Sequence, residues 1–257
     1  MDINGKHIVI TGASSGIGLE VVKLLLRYTD VKIVAVARNI ETIPVYEGVV
    51  FPFSADLTKP QAVDAVFDYC KSISLNIDIF IANAGYANLE KLGTPDWEHI
   101  ETVFSLNTFS PIYTLQKLVQ TSGDRFVYFV CVSSAVAKIA LPYYSLYCST
   151  KAAIHQFMST YKYESKANVR TMTVYPVATR TAFFEKAAQS EKPPVPFFSQ
   201  SADTVSRAIV QGIEKNKECV YPSFLFRIFN WVGTVCPSII SIYAANEKLK
   251  VEKIQKF

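Results

Sequence analysis

The chain has 257 residues, half of them apolar, Gly and Pro at ordinary levels and a net charge of +4, which suits one sizeable α/β domain. Lys and Arg are scattered, with no basic stripe interleaved with aromatics, and this excludes nucleic acid as the expected partner. The five cysteines are odd in number and form no CxxC pair, which excludes a disulfide framework or zinc site and fits a reducing compartment. The start, MDINGKHIVI, runs directly into a strand-like segment without a signal-peptide pattern, so the expected location is cytoplasmic.

In chain order, His7–Thr11 predicts a short buried strand, and Leu19–Tyr28 has helical apolar spacing. Between them lies Thr11-Gly12-Ala13-Ser14-Ser15-Gly16-Ile17-Gly18. Strand, glycine-rich turn and helix in this order suit a dinucleotide: glycines allow close backbone approach, and the helix N-terminus offers free N–H groups to a pyrophosphate. The TGxxxGxG spacing resembles the nucleotide turn of the short-chain dehydrogenase/reductase family. That resemblance makes Gly12, Ser14, Ser15, Gly16, Ile17 and Gly18 expected cofactor contacts.

Val31–Ala37 predicts the second strand. Its end, where an NAD site carries an acidic residue for the ribose 2′-hydroxyl, holds Ala37 followed by Arg38. A guanidinium there suits a 2′-phosphate, so NADP(H) is expected over NAD(H). Val49–Phe53 predicts a third strand, leading to Asp56-Leu57, which resembles the family's adenine contact. Pro60–Ile73 predicts a helix with Val63, Val66 and Phe67 on its apolar face, and Ile77–Ala82 a fourth strand. The triplet Asn83-Ala84-Gly85 follows, matching the family's NAG, which lies against the cofactor.

Thr94–Leu118 predicts a long, bent helical stretch with its break at Pro111. Asn107 sits within it; the family carries an asparagine here, which holds a water linking the catalytic lysine to solvent through a local kink. Arg125–Val132 predicts the fifth strand and ends in Ser133-Ser134. Ser134 has the family's serine–tyrosine spacing, and Ser133 is expected to face the other way. In the following loop Ala137 stands where the family often has glycine.

Tyr147–Lys166 predicts a helix that places Tyr147 and Lys151 on one face. A phenol titrates near pH ~10. A close ammonium favours the phenolate, so the pair makes a general acid/base with its own tuner. Cys148 and His155 are expected to be packing residues. Val169–Tyr175 predicts a sixth strand, ending in Pro176-Val177-Ala178-Thr179-Arg180-Thr181. Pro176, Thr179 and Thr181 match the family's nicotinamide end, whereas Val177 replaces its glycine.

The stretch 182–200, with three prolines and paired phenylalanines, is expected to be a substrate lid. Asp203–Lys215 predicts a helix and Glu218–Tyr221 a last strand. The strongly apolar stretch 224–243 reaches the length of a membrane span but is interrupted by Arg227, Asn230, Gly233 and Pro237. Peripheral membrane association, a lid and plain packing remain open for it. Lys248–Lys256 is expected to be a basic, solvated tail.

The resemblance covers roughly residues 5–221. It implies a single Rossmann-type domain: a doubly wound parallel sheet of about seven strands, order 3-2-1-4-5-6-7, with residues 222–257 as an apolar C-terminal extension. It further implies Asn107, Ser134, Tyr147 and Lys151 as catalytic residues, with Tyr147 and Lys151 also holding the cofactor. Hydride transfer between NADP(H) and a carbonyl or secondary alcohol follows, with no metal. The apolar segments suggest a hydrophobic, lipid-like ketone, and the family suggests a homodimer or homotetramer. A catalytically silent NADP(H) sensor or scaffold is the alternative. A sugar-nucleotide epimerase or dehydratase is disfavoured, because the residues after Glu218 look too apolar for a substrate domain.

Overall fold

The computed structural model describes residues 1–181, 183, 187 and 198–254. Apolar runs with little charge form the strands: β1 (His7–Thr11), β2 (Lys32–Ala37), β3 (Val50–Ser54), β4 (Ile79–Ala82), β5 (Val127–Val132) and β6 (Val169–Val174). Every residue of β4 and β5 is buried, as strands covered on both faces require. A short β9 (Cys219–Val220) completes a seven-stranded parallel sheet of order β3-β2-β1-β4-β5-β6-β9. This is the expected doubly wound order. Its last strand is ninth in the chain because β7 (Ala178–Arg180) and β8 (Ser199–Ser201) pair with each other in a separate two-stranded ribbon.

Alternation along the strands divides the core into two layers. Ile8, Ile10, Ile33, Ile79, Ile81, Tyr128 and Val130 face α1 (Gly16–Leu25) and α6 (Ala202–Glu214). Val9, Val34, Phe80, Phe129 and Cys131 face the other way, against α2 (Pro60–Ser72), α4 (Ser110–Ser122) and α5 (Ser145–Tyr161). The arrangement puts the carboxyl ends of β1, β4, β5 and β6 along one rim, the place where an open α/β sheet binds its ligand.

Three local expectations change. The 94–118 stretch is α3 (Trp97–Phe104), a π-helical turn Ser105–Phe109, and α4. Pro111 is accommodated in the first turn of α4, where its missing N–H costs least, so the irregularity precedes it. The apolar C-terminal stretch is two helices, α7 (Phe224–Val235) and α8 (Pro237–Ile254), separated at Cys236 by a proline that cannot continue a helix. Among the described residues no helix is long and apolar enough to cross a membrane. Lys248–Ile254, expected as a solvated tail, belongs to α8: Val251 is buried against Tyr144 and Tyr147, and Tyr143 donates to Glu252 at 2.8 Å. Most of the expected lid lies outside the described residues.

Candidate active site

The glycine turn is built by close approach. Gly12 has φ +68°, and a Cβ there would meet Asn83 Nδ2 at 2.9 Å and Ala84 Cα at 3.0 Å. A Cβ on Gly18 would overlap the Gly12 carbonyl. Both positions therefore require glycine. The neighbouring strand ends are joined through Thr11, whose Oγ1 accepts from the N–H groups of Asn83 and Ala84 at 3.0 Å each. Asn83 Nδ2 donates to the Thr11 carbonyl at 3.0 Å. At the N-terminus of α1 the Ser15 side chain makes no capping bond, and the first turn contains no acidic residue. The leading N–H groups and the positive end of the helix are thus available to an anion. Arg38 is exposed at the end of β2 and has no carboxylate partner among the described residues. Asp56 Oδ1 accepts from the Thr58 N–H at 3.2 Å and its hydroxyl at 3.0 Å, fixing a turn beside buried Leu57.

The other end of the rim carries Ser134, Tyr147 and Lys151. Ser134 caps the turn Ala135–Ala137, accepting from the Val136 N–H at 3.3 Å. Ser134 is also the group that holds the Tyr147 phenol's pKa down against burial. Burial is the larger effect and pushes Tyr147 well above the ordinary phenol range. Lys151, only 4 % exposed, donates to the Val132 carbonyl at 3.0 Å, with Nζ 5.8 Å from the Tyr147 ring centre. Burial lowers its pKa to about 8. The causes that set the direction for Tyr147 are burial first and Ser134 second.

Asn107 lies within the π turn, and its side chain is fully engaged. Oδ1 accepts from the Tyr86 N–H at 2.9 Å, while Nδ2 donates to the Tyr86 carbonyl at 2.8 Å and Thr150 Oγ1 at 3.1 Å. Any water relay at this position therefore relies on the main chain. Pro111, four residues on, has no N–H to give the Asn107 carbonyl.

One groove of about 390 Å³ joins both ends. Gly12, Ser14, Ser15, Gly16, Ile17, Arg38, Asp56, Leu57, Asn83, Ala84 and Gly85 line it, as do Ser134, Tyr147, Lys151, Pro176, Thr179 and Thr181. Of the expected site residues, Gly18 and Asn107 stand behind the wall, supporting Gly12 and Tyr86. Ser133 lines the groove as well, and its hydroxyl donates to the Lys151 carbonyl at 3.3 Å. Tyr86 and Thr150 were not anticipated: neither carries a motif of its own, and only the Asn107 contacts reveal them. Val177, in place of glycine, is buried and packs against Ala135, Ile139 and Phe226 of α7. Its backbone is not at positive φ, so the side chain is accommodated; Ala137 is likewise outside that region. His155 meets the Tyr175 hydroxyl at 2.7 Å, and burial raises the Cys148 thiol, so both are occupied in packing and local bonding.

The family model for short chain dehydrogenases matches residues 6–192. The chain belongs to the short-chain dehydrogenase family. Its fold and aligned segments make it an oxidoreductase of that family. Among curated relatives, short-chain dehydrogenase/reductase family 16C member 6 of Bos taurus is 27 % identical over 82 % of this chain and 71 % of its own length. A solved short chain dehydrogenase from Burkholderia cenocepacia J2315, in complex with NADP, superimposes with TM-score 0.81 at 21 % identity, covering 95 % of this chain and 99 % of that one. A Burkholderia phymatum short chain dehydrogenase/reductase in complex with NAD gives TM-score 0.78 at 15 % identity, over 90 % and 93 % of the two chains.

Proposed function

We propose that this short-chain dehydrogenase is an NADP(H)-dependent reductase of hydrophobic ketones, with Asn107, Ser134, Tyr147 and Lys151 as its proton-transfer set. The observation that carries this reading is the single groove that connects Tyr147 and Lys151 to the glycine turn and Arg38.

The residues fit a dinucleotide. The contact at Gly12 and Gly18 leaves no room for a side chain, the first turn of α1 is open to an anion, and Arg38 offers a fork for a 2′-phosphate. Gly12 to Ile17 would hold the pyrophosphate, Asp56 and Leu57 the adenine end, and Asn83 to Gly85 the cofactor's middle. Pro176, Thr179 and Thr181 would border the nicotinamide, and Lys151 its ribose. When bound, NADPH supplies a hydride to the carbonyl carbon.

The chain's own residues then manage the oxygen. Burial keeps Tyr147 a phenol at neutral pH, the form that donates a proton, which favours reduction. The substrate oxygen gains that proton, while Ser134 donates a hydrogen bond to the same oxygen as charge grows there. One of the three N–H groups of the Lys151 ammonium donates to the Val132 carbonyl, leaving two for the relay and the ribose hydroxyls. The Asn107 main-chain carbonyl continues the relay behind it.

Among the described residues, the hydrophobic cluster around Tyr147 includes Tyr144, Leu141, Leu89, Val251 and Phe183, whose ring lies 5.7 Å from that of Tyr147. They supply surface for a substrate's hydrocarbon part and few groups for a polar one. The test is Tyr147→Phe, which should lower turnover with NADPH and a long-chain ketone by about 10²-fold or more, as loss of a general acid does. NADPH binding, followed by fluorescence titration, should persist. Turnover equal to the unaltered protein would refute the assignment, and NADPH binding without turnover in either form would leave a nucleotide sensor.

A further inference from the structure

The helix α7 packs through one side only. Phe226 is fully buried and joins Val177, Ala135 and Ile139, while Phe229 meets Phe198 and Tyr243 with ring centres 5.1 and 5.5 Å away. The opposite side is apolar as well. Phe224, Ile228, Trp231 and Val235 are spaced four, three and four residues apart, which sets them in one stripe along the helix. They are 69 %, 46 %, 69 % and 75 % exposed, and Leu225 beside them is 67 % exposed. An amphipathic helix puts its polar side outward; this one presents hydrocarbon on both sides.

The charge around the stripe is one-sided. From Cys219 to Asn246 there is no Asp or Glu, and the single charged residue is the exposed Arg227 on the flank of α7. Lys138, Arg227 and Lys162 all act on the Cys219 thiol just before this helix, and Lys162 lies 3.7 Å from Glu218. The stripe runs the whole length of α7 from Phe224 to Val235. Its five side chains offer on the order of 600 Å², less than the ~800 Å² that a stable protein partner covers on each side. An apolar stripe with an indole and the flanking Arg227, with no carboxylate from Cys219 to Asn246, matches the polarity of an anionic lipid surface.

We propose that the Phe224–Val235 face docks peripherally on a bilayer containing anionic lipid, with Trp231 at the headgroup boundary. Docking rests on the surface alone, although it serves the proposed function: the buried side of the same helix touches Val177, which lines the catalytic groove. A lipid-like ketone would then enter next to the membrane.

The test uses vesicles of phosphatidylcholine, with and without phosphatidylserine, and the full chain carrying Trp97→Phe, so that Trp231 is its only indole. Sedimentation with the anionic vesicles and a blue shift of Trp231 emission are expected. Leu225→Glu with Trp231→Glu should weaken sedimentation about tenfold or more, and Arg227→Gln should weaken it only on the anionic vesicles. Reduction of a short, water-soluble ketone should be unchanged in these variants, because none of the three residues lines the groove. The docking proposal is overturned by unmoved emission with both vesicle types, or by undiminished sedimentation of the double Glu variant. A homodimer that dissociates on Leu225→Glu would also overturn it and make the face a subunit contact. Equal binding to both vesicle types would overturn the anionic choice. Vesicle binding without any ketone turnover would leave docking in place and count against the reductase reading alone.

Discussion

At the scale of single residues, the groove contains two charges whose values decide how it works. Arg38 would face the cofactor's 2′-phosphate, and a charge-assisted pair of that kind contributes about 1.5–3 kcal/mol. Arg38→Ser should therefore raise KM for NADPH roughly 10- to 100-fold and leave KM for NADH nearly unchanged, as steady-state kinetics with both nucleotides would reveal. Lys151 has its pKa lowered to about 8 by burial. A lysine in the unfolded chain holds its proton to about pH 10.4, so from 8 to that value the unfolded state binds more protons, and stability rises with pH. In the proposed mechanism catalysis runs the other way, because the ammonium is the working form. The pH profile of kcat/KM for reduction should fall above about pH 8, and Lys151→Arg, which stays charged, should remove that limb while lowering the plateau. Motif residues at this scale were legible because their chemistry is tied to spacing: Tyr147 and Lys151 by one helical turn, Gly12 and Gly18 by close approach. Tyr86 and Thr150 were not, since they act by supporting Asn107 across 21 and 43 residues of chain.

At the scale of elements, the β7–β8 ribbon was not read, whereas the seven strands of the main sheet were read to within a residue or two. The two-faced burial of β4 and β5, which admits little but apolar side chains, made such strands plain. The glycine turn was equally legible, and it gives a sharp prediction. Gly18→Ala would drive a methyl group into the Gly12 carbonyl, and overpacking of that kind costs about 1–3 kcal/mol. Thermal unfolding should show the loss of stability, and nucleotide titration should show weaker binding. Helix irregularities were less legible. Pro111 pointed to a break, yet the irregularity lies before it, in the π turn Ser105–Phe109, where Asn107 binds both backbone groups of Tyr86, a tertiary contact that no local pattern encodes. The 224–243 stretch shows the same limit: its apolar composition was plain, but its division into a core side and an exposed side depends on where Val177 and Phe226 meet. Val177, the departure from the family's glycine, finds its physical reason there.

For the whole molecule, alternation along seven parallel strands produces two apolar layers and one rim, and the rim brings together residues from Gly12 to Thr181. The sheet order was legible because the motifs fell at successive strand ends in family order. The C-terminal helices were not, because the family pattern stops before them. They nonetheless back the site: α8 delivers Val251 to the apolar cluster around Tyr147, and α7 supports Val177. The most direct measurement of the central claim is the initial rate of NADPH oxidation across a series of ketones of increasing chain length, with NADH run in parallel. A rate that rises with chain length and is far higher with NADPH is the predicted result. A rate that is flat or falls with chain length, or that is equal with NADH, would contradict the account.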